Sequence, residues 1–256
     1  SSHLRSNETT RAVPILMVGS EDDMDKVARG LEMGAHDYVL RPVDRNEFLA
    51  RVRTQIRRKR YQEKLRSNYE SNLTMAIRDP LTGLYNRRYM ETHMAKLLEK
   101  QAENHKPMGV LLLDIDHFKS VNDTHGHGAG DDVLKEFSKR LSDNLRGFDL
   151  IARLGGEEFV AILPDVSEEK AYFIAERLRR SICEVPFTAN GGELSLSISS
   201  SIGGAIIHRG GHLVHSVLER ADKCLYHAKE HGRNCTIFER VGLIDPNKYK
   251  EIPRSL

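Results

Sequence analysis

Five consecutive residues, Gly155-Gly156-Glu157-Glu158-Phe159, join a backbone free to turn tightly to two adjacent carboxylates. Adjacent acids on a sharp turn repel one another unless a cation sits between them. A divalent metal carrying a phosphate substrate resolves that conflict. A solvated acidic hairpin is the plainer reading, and the turn by itself does not decide, because exposed Glu pairs are common. A second pair of acids, Asp114 and Asp116, closes the apolar run Val110-Leu111-Leu112-Leu113. Strand alternation puts both on one face, and carboxylates where an apolar strand emerges point to metal ligation more than to structure. Lys229 and Arg233 lie four apart, on one face of the last helical pattern. Alone they read as cations well placed at a helix C-terminus. Arg146 and Asp149 alone read as a surface ion pair.

Regular elements must carry these groups. Phe159-Val160-Ala161-Ile162-Leu163 reads as a strand running from the acidic turn into a core. Residues 131–145 and 168–183 read as helices, the second with apolar positions at Ala171, Ile174, Ala175 and Leu178. Leu194, Leu196 and Ile198 alternate with serines, the pattern of a half-buried strand, and a last helix over residues 213–231 stops at Gly232. Upstream, residues 14–60 read as strand, helix, strand, helix. The first helix, residues 22–33, ends at Gly34, and the second begins near Asp44, a good N-cap. Residues 43–79 contain neither Gly nor Pro and are rich in helix formers, so a single helix of roughly 55 Å is expected there. Its basic run Arg57-Arg58-Lys59-Arg60 reads as a solvated face, since aromatics are sparse and Glu63 and Glu70 follow. Ile56, Leu65, Tyr69, Leu73 and Ile77 are too irregularly spaced to assert a coiled coil, although a stalk that pairs with its own copy fits.

Composition narrows the function. The chain has 256 residues, 39% apolar and 30% charged, with a net charge of +2. That balance gives no reason to expect nucleic-acid or membrane binding. No apolar run approaches a membrane span and no secretory signal is visible. Cys183, Cys224 and Cys235 lack metal or disulfide spacing, which fits a reducing, cytoplasmic compartment. No G-x-x-x-x-G-K motif is present, so phosphate binding does not use a P-loop.

Taken together, residues 79–238 resemble the GGDEF domain of diguanylate cyclases. The resemblance rests on Asp79-Pro80-Leu81-Thr82-Gly83-Leu84-Tyr85-Asn86-Arg87-Arg88; on Asp114-Ile115-Asp116-His117-Phe118-Lys119 with Asn122-Asp123, Gly126-His127 and Gly130-Asp131; on Arg153-Leu154-Gly155-Gly156-Glu157-Glu158-Phe159; and on Ala221-Asp222, Leu225-Tyr226, Ala228-Lys229 and Gly232-Arg233-Asn234. The N-terminal stretch resembles the second half of a response-regulator receiver, through Pro14-Ile15-Leu16-Met17-Val18, Gly34-Ala35, Asp37-Tyr38 and Arg41-Pro42. Arg41 and Gly19 stand where that family usually has Lys and Thr or Ser. The strands that carry its phosphoacceptor Asp have no counterpart here, so this stretch is not expected to be phosphorylated as a receiver. The whole is similar to a PleD-type response regulator. The expected organisation is a partial, degenerate receiver over residues 1–60, a helical linker over 61–78, the GGDEF domain over 79–240 and a mobile tail over 241–256. The expected fold is α/β: a partial flavodoxin-like receiver followed by a ferredoxin-like nucleotide-cyclase palm, a mostly antiparallel sheet wrapped by helices.

The resemblance also implies the chemistry. Two GTP molecules condense to cyclic di-GMP and two pyrophosphates, each domain of a homodimer holding one GTP. Asp114, Glu157 and the Ile115 carbonyl bind Mg²⁺, two ions per half-site, with Mn²⁺ as the alternative. Glu158 either binds the second ion or helps deprotonate the attacking 3′-hydroxyl. Asn122 and Asp131 read guanine; a carboxylate facing its N–H donors would be left unpaired against ATP. Phe118, Lys119, Lys229 and Arg233 line the substrate, the three cations contacting phosphates. Arg146 and Asp149 match an inhibitory R-x-x-D product site, with Arg177 as a secondary contact. His117 stands where the family often has an aromatic, and Glu157 replaces the name-giving Asp, a substitution compatible with activity. The competing reading is a non-catalytic GGDEF receptor for cyclic di-GMP or GTP, against which the intact acids argue. A DNA-binding regulator lacks a helix-turn-helix and a basic excess.

Overall fold

The structure is a computed structural model that describes Thr10, residues 13–20, Asp22, residues 24–208 and residues 212–239. The expected tail over residues 241–256 lies outside the described residues. Two compact units divide between Leu73 and Thr74.

In the first unit, strands β1 (Leu16–Gly19) and β2 (Asp37–Leu40) pair in parallel. Helix α1 (Met24–Glu32) connects them, and Gly34, at φ 95°, turns the chain out of it, a conformation that glycine adopts without a Cβ clash. Helix α2 (Arg45–Ile77) starts at Asp44, whose Oδ1 accepts from Glu47 N at 2.8 Å. Its 33 residues reach about 50 Å at 1.5 Å per residue. Arg57, Arg58 and Arg60 are exposed and Lys59 lies 3.5 Å from Glu63, so the basic run is a solvated helix face. Ile56 and Leu65 are also exposed.

The second unit contains β3 (Tyr85–Asn86), α3 (Arg87–Asn104), β4 (Met108–Ile115), α4 (Phe118–Asp143), β5 (Leu150–Gly155), β6 (Glu158–Leu163), α5 (Glu168–Cys183), β7 (Phe187–Ala189), β8 (Leu194–Leu196), β9 (Ser200–Ile207), α6 (Val214–Glu230) and β10 (Thr236–Phe238). The main sheet runs β10-β9-β4-β6-β5-β3. Its three inner pairings are antiparallel, and the outer two, β10 with β9 and β3 with β5, are parallel. The β4-α4-β5-β6-α5-β9 order is the ferredoxin-like pattern. This is the α/β palm expected from the sequence.

β4 is central, bonded on both edges, and every one of its residues is buried. Leu111, Leu113 and Ile115 pack with Phe137 of α4 and Leu178 of α5. Val110 and Leu112 pack with Met94 of α3 and Val217, Ala221 and Leu225 of α6. That alternation aims the next even position, Asp114, at the α6 side.

Two elements differ from expectation. The helix expected from residue 131 already begins at Phe118 and is interrupted at Gly126, at φ 82° and ψ 163°. The serine-rich alternation around residues 194–198 forms only short β8, while the main-sheet strand is β9, which follows it.

Candidate functional site

The Gly-Gly turn is a two-residue connection. Gly155 and Glu158 are cross-strand partners, and Gly156, at φ 53°, occupies its first central position. The turn is anchored from below. Arg153 donates through Nε and Nη2 to Gly156 O, at 3.0 and 2.8 Å. Its Nη1 reaches Asp79 Oδ1 at 3.1 Å. Asp79 also accepts from Thr82 N and Thr82 Oγ1, at 2.9 and 2.7 Å. Burial opposes ionisation of Asp79, but the Thr82 hydrogen bonds and Arg153 prevail and hold its carboxyl below the ordinary value. The segment that follows α2 is thus tied directly to the acidic turn.

The turn lies over the end of β4. Asp114 and Glu158 are in register across the β4–β6 pair, and Ile115 N donates to Glu157 O at 3.3 Å. Glu157 is half-buried and Glu158 exposed. Asp114 is buried, and Lys229 Nζ sits 2.7 Å from its Oδ2. Burial pushes the Asp114 carboxyl up; Lys229 opposes this, and the charges of Glu157 and Glu158 add to it. Among the described residues no three His, Cys, Asp or Glu side chains converge closely enough to chelate an ion as they stand. The donor set of two or three carboxylates and a backbone carbonyl is all oxygen, the kind that suits Mg²⁺ or Mn²⁺. The crowding of like charge on Asp114 is what a divalent ion would relieve.

Asp116 does something else. Although it lies on the same face as Asp114, its Oδ1 accepts from Ser201 Oγ at 2.6 Å, and its Oδ2 accepts from Ser199 Oγ at 2.6 Å and Asn234 N at 3.0 Å. Both oxygens thus carry hydrogen bonds, and the role this second acid shows is a buried hydrogen-bonding one.

On α4, Phe118 is buried and Lys119 exposed, next to His117, which caps the helix at φ 57°. Asn122 and Asp131 lie on either side of the Gly126 break. Asn122 packs across Gly130: a Cβ there would meet Asn122 Oδ1 at 2.0 Å. The structure thus brings Asn122 against the residue next to Asp131, and gives Gly130, quoted above as part of a motif, the packing role of leaving room for Asn122. Lys229 is on α6, but α6 ends at Glu230, and Gly232, Arg233 and Asn234 all take positive φ, at 97°, 63° and 46°. Arg233 therefore does not share a helical face with Lys229. It stands on a left-handed turn beyond the helix, where Gly232 ends the helical geometry that the spacing assumed.

The R-x-x-D segment closes on itself. Arg146 N donates to Asp149 Oδ2 at 2.8 Å, and Asp149 N donates to Arg146 O at 3.0 Å. Burial pushes the Asp149 carboxyl up, opposed by the Arg146 amide and by the charges of Arg146 and Arg177. Arg177 reaches the same region, its Nη2 donating to Asn144 O at 2.8 Å. Arg146, Asp149 and Arg177 are therefore one cluster, at the N-terminal end of β5, with the acidic turn at the other end of the same strand.

Known proteins resemble this chain in sequence and in fold. Residues 76–235 match the family model described as diguanylate cyclase, GGDEF domain. The chain is 44% identical over 234 residues to response regulator PleD of Caulobacter vibrioides, covering 91% of this chain and 52% of PleD. It is 44% identical over 171 residues to diguanylate cyclase DgcP of Pseudomonas aeruginosa, covering 66% of this chain and 25% of DgcP. The chain thus spans about half the length of PleD, or less of the other curated relative. Among solved structures, the coiled coil and GGDEF domain of DgcB from Caulobacter crescentus, in complex with c-di-GMP, aligns with a TM-score of 0.66 and 30% identity, over 75% of this chain and 98% of that one. Among the described residues no helix is long and apolar enough to cross a membrane.

Proposed function

From the premise that this chain belongs to the GGDEF family of diguanylate cyclases, we propose that it condenses two GTP molecules into cyclic di-GMP with release of two pyrophosphates. The observation that carries the reading is Asp114: a buried carboxylate at the end of the central strand, in register with Glu158 and bonded to Lys229. Asp114, Glu157, Glu158 and the Ile115 carbonyl would hold Mg²⁺, which when bound neutralises triphosphate charge and polarises the α-phosphate. Asn122 and Asp131 read the guanine edge. Lys119, Lys229 and Arg233 contact phosphates beside Phe118. Each palm holds one GTP, so the chain acts as a homodimer, with α2 as the stalk that brings two copies together. The first unit, whose parallel β1-α1-β2 order fits half of a receiver, serves as its adaptor.

The test is incubation of the purified chain with GTP and Mg²⁺ and chromatography of the products. Cyclic di-GMP is expected. GTP left unchanged at high protein concentration, where dimers form, overturns the enzyme reading; binding without turnover would then favour the receptor.

The Arg146, Asp149 and Arg177 cluster is the site where product inhibits. A guanidinium can grip phosphate or the guanine Hoogsteen edge with two hydrogen bonds. Charge-assisted bonds of this kind contribute about 1.5–3 kcal/mol, so Arg146→Ala should raise the inhibition constant for cyclic di-GMP about 10- to 100-fold. Progress curves should stay linear where those of the parent bend. An unchanged inhibition constant would remove Arg146 from the site.

A further inference from the structure

We propose that Asp116 is a positioning residue for the substrate phosphates, acting through the turn that carries Arg233; this rests on the reading of Arg233 as a phosphate contact. Arg233 is exposed, and among the described residues its guanidinium has no ion-pair partner. Its backbone, by contrast, is held on several sides. Gly232, Arg233 and Asn234 are three consecutive residues at positive φ, and two of them carry a Cβ that disfavours this conformation. Such a turn persists only where its surroundings determine it. Arg233 N donates to Ala228 O at 3.1 Å, the last tie to α6. Asn234 N donates to Asp116 Oδ2 at 3.0 Å, and Asn234 Oδ1 accepts from Arg179 Nη1 at 2.8 Å. Arg179 is fixed in turn by Glu176, with Nε and Nη2 both within 3.2 Å of its carboxylate. Burial works against ionisation of Glu176, but the hydrogen bond from Arg179 prevails and keeps the carboxyl low.

The two acids at the exit of β4 therefore divide the work. Asp114 takes the ammonium of Lys229 and Asp116 takes the amide of Asn234, so one strand end grips the segment on both sides of Arg233. An arginine on a loose turn would have to be ordered by each incoming triphosphate, and that ordering weakens binding. Fixing the backbone in advance leaves only the side chain to settle. The same carboxylate is held by Ser199 and Ser201 of the β8–β9 segment, and this ties the phosphate-facing turn to the sheet that carries the acids.

The experiment measures the affinity for a non-hydrolysable GTP analogue with Mg²⁺ in the full chain. Asp116→Asn and, more remotely, Arg179→Met are made alone and in an Arg233→Ala background, with hydrogen exchange followed over residues 232–236 without ligand. Each single variant should weaken binding about tenfold, as expected when one charged hydrogen-bonding group is lost from a site. Exchange in the turn should rise. In the Arg233→Ala background neither change should weaken binding further, because what they position is already gone. Losses that multiply instead assign Asp116 a structural role and overturn the proposal, as does unchanged affinity in Asp116→Asn. If the parent binds no analogue, the nucleotide reading itself falls; if it binds and Asp116→Asn binds equally well, only this proposal falls.

Discussion

Asp114→Asn should give a protein that melts at a higher temperature than its parent at neutral pH and forms no measurable cyclic di-GMP. The Asp114 side chain is 7% exposed. Burial is the largest influence on it and disfavours the charge; Lys229 favours the charge, and Glu157 and Glu158 disfavour it again. The balance leaves the carboxyl above its ordinary value, so even with its cation in place the ionised group is worse off folded than unfolded. The sign follows from linkage. A carboxyl whose folded pKa is raised costs nothing below the unfolded value of about 3.9, begins to cost stability as pH rises through the window up to the folded value, and costs the full amount above it. Asn carries no such cost. Lys229 loses its partner but is 34% exposed and remains solvated. The melting-temperature gap between variant and parent should therefore be small near pH 4 and widen to a plateau toward neutrality, each kcal/mol of relief adding roughly 2–4 °C in a chain of this size. Turnover moves the other way. If Asp114 holds the metal as proposed, its loss would remove several kcal/mol of transition-state stabilisation, about 10³-fold or more in rate. Scanning fluorimetry across pH and a product assay read both effects. A lower melting temperature at neutral pH would mean that the Lys229 pair outweighs burial, and the account of Asp114 as a functional residue held at the expense of stability would fail.

How much of this site was legible in the sequence depended on how local its physics is. The apolar run of β4 and the 168–183 helix announce themselves, because burial on one face writes a period into the chain. β9 does not. Its residues Ser200-Ser201-Ile202-Gly203-Gly204 are small because neighbours occupy their space: a Cβ at Gly203 would meet Ala221 O at 2.2 Å, and one at Gly204 the Phe238 ring at 2.4 Å. Close approach of α6 and β10 thus erased the alternation that identifies a strand. The first half of α4 reads as loop for the opposite reason, since Asn122, Thr124, Gly126 and Gly128 are poor helix formers yet are held helical apart from the Gly126 break. Asp114 and Asp116 look alike along the chain. Only contacts from residues more than 80 positions away, Ser199 and Ser201, separate the acid that pairs with Lys229 from one that sews loops together. Spacing also misled at Arg233, where a four-residue interval implies a shared face only if the helix continues.

Glu158→Gln should cut turnover by about 10³-fold while leaving the fold and GTP binding nearly intact. Glu158 opens β6, is exposed, and makes its structural contribution through the backbone pairing with Gly155 and Asp114, which Gln preserves. What Gln removes is a charge and a proton acceptor. In the proposed homodimer, an exposed hairpin tip could meet a nucleotide held by the second copy. Loss of general base catalysis costs about 10²–10⁴-fold. The variant also separates the two roles open to this residue. If Glu158 takes the proton of the 3′-hydroxyl, the Mg²⁺ concentration for half-maximal activity stays put, and the residual rate climbs with pH as hydroxide substitutes. If Glu158 holds the second ion, the Mg²⁺ requirement rises and the pH slope does not change. A third readout is independent of turnover: the Glu158 charge helps raise the Asp114 carboxyl, so its removal should narrow the pH window over which the cost of Asp114 develops and lower the plateau of that cost. Turnover retained within about tenfold of the parent would place Glu158 outside the chemistry, and Asp114 with Glu157 would then have to supply it.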